Sequence, residues 1–184
     1  MPGDRPGPAD AVAQMFFDQR VVLISGPVDT EQAARTAASL MALDAIGDDP
    51  VECRINASSD SMEAAFTLID TIDALGVRFV ATATGMVAGT MVGVLAVCQK
   101  RRITPSARIE LREPTDCLSG PATRIETHAQ ALDGRWHLYL HRLAEATGRP
   151  FEHLESAHRT GTFLTAAQAV SWGLADEVAS PGRR

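Results

Sequence analysis

The feature that most constrains this 184-residue chain is a glycine-punctuated turn between two apolar runs. Residues 78–83 are a short apolar strand candidate, closed by Thr84-Gly85-Met86-Val87-Ala88-Gly89-Thr90. From there to Cys98 the residues are small or apolar, and the next charge is Lys100. A strand that turns sharply into a helix leaves unpaired backbone N–H groups at the turn, which is where enzymes place nucleophiles and anions. At the apex of this turn stands Gly89, which has no side chain to offer.

The same strand-then-helix rhythm repeats along the chain. Residues 20–25 form a continuous apolar run of the buried-strand kind, closed by Gly26-Pro27. Asp29 or Thr30 caps a helix that ends near Gly47, with Ala33, Ala37, Leu40, Met41 and Leu43 on its inner side. A second strand at 51–56 leads through a loop at 57–61 into a helix at 62–75, stopped by Gly76. The opening stretch, read as a helix over 84–98, is the third such unit. A strand at 108–111 follows, then a long helix at 121–147, which Gly134 weakens by about 1 kcal/mol relative to alanine. A short helix at 151–159, a helix at 166–172 capped by Thr165, and a closing strand at 176–178 complete the series. The expectation is one α/β domain over 15–178, with disordered tails at 1–14 and 179–184, although residues 9–15 have the makings of a short helix.

Composition bounds the partners. A net charge of −6 supplies no basic stripe for nucleic-acid phosphates. No run reaches the ~18 apolar residues that a membrane helix requires, and the N-terminus has no apolar signal region. Cys53, Cys98 and Cys117 are odd in number and outside any metal spacing, as expected of reduced thiols in a cytoplasmic protein.

Several phrases, in order, resemble the proteolytic subunit of the Clp protease, ClpP, of the ClpP/crotonase superfamily. They are the run from Gln19 to Asp29, Ile55-Asn56, Gly85-Met86-Val87-Ala88, and Glu113-Pro114 beyond the Arg108 strand. Gly120-Pro121-Ala122-Thr123, Thr147-Gly148-Arg149-Pro150, and the run from Phe163 to Val178 complete the set. The resemblance implies a ClpP/crotonase-like fold of repeated βα (ββα) units with a protruding handle helix. It also implies a Ser-His-Asp triad, in which a hydroxyl attacks, an imidazole takes its proton and a carboxylate orients the imidazole. Carried over position by position, the nucleophile falls on Gly89, the histidine on Arg112 and the aspartate on Gly161. The glycine-rich loop that helps hold the oxyanion in the family here reads Asn56-Ala57-Ser58-Ser59-Asp60-Ser61. Ser59 and Asp60 replace glycines, and Asp60 places a negative charge where a negative oxyanion develops.

The expectation is a pseudo-protease subunit with no cofactor and no metal. It would associate into rings such as the family's heptamers, alone or with active ClpP subunits and a Clp AAA+ ATPase, and would bind no nucleic acid and no membrane. The handle stripe Leu132, Trp136, Tyr139, Leu140 and Leu143 is expected at a subunit interface. Arg112 is expected to pair with Asp60 or Glu113 and fill the vacated site. Phe16-Phe17 falls where the family leads from the axial pore into the first strand, but the proline-rich tail before it departs from the family pattern.

Other chemistries remain open on sequence alone. Thr90 is a substitute nucleophile one residue along, though no base stands at the matching place. An acyl-CoA enzyme of the crotonase branch would draw on Asp60, Glu63, Glu110 or Glu113 as acid or base. A homomeric scaffold or adaptor is the third alternative. His137 and His141 share a helix face at metal-pair spacing, His128 and His153 stand at no fixed spacing, and His158, read as a surface residue, lies three before Gly161.

Overall fold

The computed structural model describes residues 8–115 and 119–180. Expectations for 1–7, for Cys117 and for 181–184 lie outside the described residues. Eight strands form one sheet that branches at its longest member, β2 (Val51–Ser59). On one side β1 (Val21–Pro27) runs parallel to nearly all of β2. On the other side two strands share β2: β3 (Phe79–Ala83) pairs with residues 51–55, and β4 (Met86–Gly89) pairs with Ser58 and Ser59. From β3 the sheet continues to β5 (Lys100–Ile103) and β8 (Glu177–Val178); from β4 it continues to β6 (Arg108–Leu111) and the antiparallel β7 (Thr162–Thr165).

The division of β2 corrects the sequence reading of residues 84–98, which are a strand and then a short helix, α4 (Met91–Ala96). The Asn56 side-chain oxygen accepts the Met86 N–H at 3.0 Å, and Thr84 N–H bonds Ile55 O at 2.8 Å, so the chain leaves β3 and rejoins β2 two residues later. A run of small apolar residues cannot distinguish buried strand from buried helix, and here it contains both. The expected loop at 57–61 is likewise strand as far as Ser59, because Ala57 and Ser58 pair with β1 while Ser58 and Ser59 pair with β4.

Helices cover the sheet. They are α1 (Pro8–Asp18), α2 (Thr30–Ile46), α3 (Met62–Ala74), α5 (Ala122–Thr147), α6 (Phe151–Arg159) and α7 (Ala166–Ser171). Asp29 caps α2 by accepting from Gln32 N–H at 2.8 Å, Ser61 caps α3 at 3.1 Å, and Thr165 with Gln168 closes a capping box on α7. Helix α1 extends into the segment expected to be a tail, and at the other end Ala179 N–H still bonds Ile103 O at 2.8 Å. One apolar cluster runs through β1 to β4, α2 to α4 and the inner half of α5.

Helix α5 is divided. Residues 121–131 are exposed, whereas Trp136, Tyr139, Leu140 and Leu143 are buried in the chain's own core. This corrects the expected interface stripe. Four of its five members pack on α4 and α6 within the same chain, and Leu132 is half-buried against that core. The exposed apolar residues of the helix are Ala122, Ile125, Ala129 and Ala131 on the outer half, together with Leu138.

Candidate functional site

The carboxyl ends of β2 and β4 meet at a corner, the place where parallel α/β sheets gather ligands and catalytic groups. Gly89 closes β4 there in a left-handed conformation, φ 61°. A Cβ added to it would overlap the Ser59 carbonyl oxygen of β2. The constraint is mutual: Thr90 N–H donates to that same carbonyl at 2.9 Å, which ties the turn to the strand. The corner therefore presents a backbone acceptor to the turn. An oxyanion site requires donors aimed at the developing charge, so the local polarity is reversed.

Thr90 is fully buried, and its hydroxyl lies 3.2 Å from Ser59 O and 3.1 Å from Ser61 O. Those contacts occupy its single proton. It functions as a clasp between the turn and the β2–α3 corner. Ser59 is equally committed: its hydroxyl donates to Val28 O at 2.6 Å and accepts from Ser61 N–H at 3.1 Å.

Arg112 is the first residue beyond β6. Its guanidinium pairs with Asp60 at the β2–α3 corner, and its Nε lies 3.5 Å from Oε2 of Glu110. Glu110 was not expected in this cluster, but strand alternation places residues 110 and 112 on one face. Glu113, the other expected partner, instead lies 4.0 Å from Arg159 Nε, at the end of α6. Gly161 turns the chain from α6 into β7 with φ 65°. Since Thr162 pairs with Leu111, the antiparallel register carries Gly161 level with Arg112. Gly89, Arg112, Gly161, Ser59 and Asp60 thus surround one corner, with Thr90 beside Gly89. The groups contributed there are two glycines, two committed hydroxyls and an ion pair.

Two connections beneath the corner had no sequence signal. Tyr139, fully buried on α5, accepts the Gly93 N–H at 2.9 Å and lies 3.4 Å from Gly89 O. Its ring occupies the space a side chain at Gly93 would need. His158 is buried, which corrects its reading as a surface residue. Its Nδ1 lies 2.8 Å from Leu154 O, and its ring meets Trp136 and Tyr139 edge-on at 5.1 and 6.2 Å. Burial pulls its pKa down to about 4, so the ring is neutral near pH 7.

The remaining candidates serve packing. His137 and His141 flank the Phe151 ring at 5.8 and 4.7 Å, and His153 meets Trp172 at 4.6 Å. Glu63 pairs with Arg135 at 2.8 Å. Among the described residues no group of three or more His, Cys, Asp or Glu is arranged to hold a metal. Cys53 and Cys98 are buried free thiols, and burial raises the Cys53 pKa to about 12. Phe16 and Phe17 line an apolar groove between α1, β1 and α2. No helix among the described residues is long and apolar enough to cross a membrane.

The family model described as Clp protease matches residues 6–182. The chain is also similar to the ATP-dependent Clp protease proteolytic subunit 3 of Rhizobium etli, with 27% identity over 165 residues covering 89% of this chain and 85% of that relative. With the branched sheet, the corner at the ends of β2 and β4, and the long helix after β6, these matches establish that the chain belongs to the Clp protease family.

Proposed function

We propose that this chain is a non-hydrolytic ClpP-type subunit, a structural or regulatory component of a ring-shaped Clp assembly in the cytoplasm. The observation that carries the proposal is Gly89. The nucleophile position has no side chain, and the direction one would take is filled by the Ser59 carbonyl. The other two triad positions support the same reading. Arg112 is held by Asp60 and Glu110, and a guanidinium offers hydrogen-bond donors with no acceptor for a nucleophile's proton. Gly161 has no carboxylate to orient one.

The folding apparatus is retained. The capped helices, the sheet and the continuous core are those of a stable subunit, and the outer half of α5 projects from it with Ile125 exposed. In a mixed ring such a subunit lowers the number of active sites and changes the face offered to a Clp ATPase. In a homomeric ring it is a scaffold. Native mass spectrometry of the chain expressed alone and with an active ClpP subunit separates these arrangements. A small fluorogenic peptide reports activity: the expected result is background hydrolysis from the chain alone. Hydrolysis above background that disappears in Thr90→Ala would overturn the proposal.

A further inference from the structure

Helix α2 is apolar on two sides. Ala33, Ala37, Leu40 and Leu43 are buried in the core. Ala34, Ala38, Met41, Ala42, Ala45 and Ile46 are exposed on the other side, and no charged residue stands between Arg35 and Asp44. Met41, expected on the inner side, faces outward at 52% exposure, and Ile46 is 68% exposed. From Ala34 to Ile46 this outer face extends about 18 Å at the rise of an α-helix. A surface helix ordinarily turns a polar face outward, and a helix that is apolar all round is a buried one.

The sheet also has an uncovered face. Leu23, Arg54, Thr82, Arg102 and Glu177 are register partners across five strands, and each is exposed or half-buried. Their strand neighbours Ile24, Cys53, Ala81 and Ile103 are buried in the core. Parallel sheets of α/β proteins are covered on both faces, so this one lacks a layer.

Charge gives the two surfaces a common orientation. Helix α2 joins β1 to the parallel β2, so it runs back against the strands, and the turn at its end brings Asp48 and Asp49 to the strands' amino ends. Both side chains are exposed and have no partner among the described residues. At that same end Lys100 and Arg102 alternate onto the open face of β5. They share one carboxylate, that of Glu177, at 3.3 and 3.2 Å, which leaves a positive charge in excess.

We propose that the outer side of α2 in one copy of the chain covers the open sheet face of the next copy. This names the faces that meet within a ring, and so it rests on the reading of the chain as a ring subunit. The two surfaces differ, so the contact is heterologous, and repeated head to tail it closes a ring when the rotation allows. An axis along the strands keeps the amino ends of neighbouring copies level, which sets Asp48 and Asp49 of one beside Lys100 and Arg102 of the next. The contact supplies the layer that each sheet lacks and is separate from any that α5 makes.

Sedimentation velocity and native mass spectrometry test it, with Ile125→Glu as the parent so that the outer half of α5 does not hold copies together. Met41→Asp spoils the helix side. Leu23→Glu spoils the sheet side and keeps β1 paired, since the new carboxylate lies opposite Arg54. Each weakens association about tenfold or more with the urea midpoint unchanged. Mixed, the two variants pair one to one and go no further, because each retains one intact face. Asp48→Lys with Asp49→Lys also weakens association, and adding Lys100→Glu restores it. That exchange touches only exposed side chains, so it decides the matter should Leu23→Glu unfold, and failure to restore overturns the contact. A parent that is monomeric while the wild-type chain assembles, or single variants that assemble as the parent does, overturns the contact and leaves the ring-subunit reading standing. Loss with Met41→Asp but not with Leu23→Glu overturns the sheet as the partner of α2. Assembly only with an active ClpP subunit overturns a second copy as the occupant. A wild-type chain that is monomeric both alone and with that subunit overturns the ring-subunit reading, and this contact with it.

Discussion

At the scale of single residues, the geometry of the three positions that the proposal assigns to a lost triad bears on whether activity could be restored there. A glycine at position 89 invites the reading of a site one substitution from activity, but the geometry argues otherwise. Gly89 adopts φ 61°, and its missing Cβ would overlap a β2 carbonyl that also accepts the Thr90 N–H. Restoring a serine requires β2 and β4 to separate where they now pair. Arg112→His and Gly161→Asp would supply the other two groups that the proposal takes as lost, but would leave an acceptor, not a donor, facing the turn. The expectation is that Gly89→Ser costs about 1–3 kcal/mol, the scale of a strained non-glycine backbone. The triple variant Gly89→Ser, Arg112→His, Gly161→Asp should remain at background on a fluorogenic peptide. Urea unfolding measures the first. Peptide hydrolysis measures the second, and turnover by the triple variant would show that the corner still opens to form an oxyanion site.

At the scale of elements, strand and helix order was largely legible wherever the period was clear. Helices α2, α3, α5 and α6 fall close to their expected bounds because apolar positions recur at helical spacing and Asp29, Ser61 and Gly148 punctuate them. Three strands were not legible as strands. β4 is hidden in a run of small residues that suits either state. β5 reads Lys100-Arg101-Arg102-Ile103, and its charges are met by residues distant in sequence: Asp176 at 2.6 Å and Glu177 at 3.2 Å, with Arg101 also donating to Ala146 O and Gly173 O. β7 is four residues long and takes its identity from β6. The contact of Arg112 with Asp60 was legible, because both lie in the ordered set of phrases that carries the family resemblance. The partners of Tyr139 and His158 were not, because they depend on how α5 and α6 settle over α4. His158 has a measurable consequence. Its folded-state pKa, about 4, lies below the ordinary histidine value of about 6.5, so the unfolded chain binds the proton more readily between those values. Stability is therefore complete above about pH 6.5 and is lost as pH falls toward 4, by up to about 3 kcal/mol from this residue. Urea midpoints at pH 7 and pH 5 should differ accordingly. His158→Leu should flatten the difference while remaining folded, since the buried Nε2 has no hydrogen-bond partner to lose.

At the scale of the whole molecule, α5 joins two regimes. Its inner half is a core helix: Trp136, Tyr139, Leu140 and Leu143 are buried, and Tyr139 reaches the turn at Gly89. Its outer half, residues 122–135, extends roughly 21 Å at the rise of an α-helix, and most of it lacks intrachain cover. A helix segment of that length is marginal in water by itself, and Gly134 weakens it where it leaves the core. Association that covers Ala122, Ile125 and Ala129, spaced three and four apart on one face, would supply what the monomer cannot. The two halves should therefore respond oppositely to substitution. Ile125→Glu, at a site 38% exposed, should change monomer stability by no more than about 0.5 kcal/mol while shifting the oligomer to smaller species. Leu140→Ala, at a site with no exposure, should cost about 2–5 kcal/mol of folding stability and lose the oligomer only by losing the subunit. Sedimentation velocity beside urea unfolding separates the two effects. If Ile125→Glu left the oligomer intact, the arm would not be the contact, and the chain would have to assemble through its sheet or its α1 groove instead.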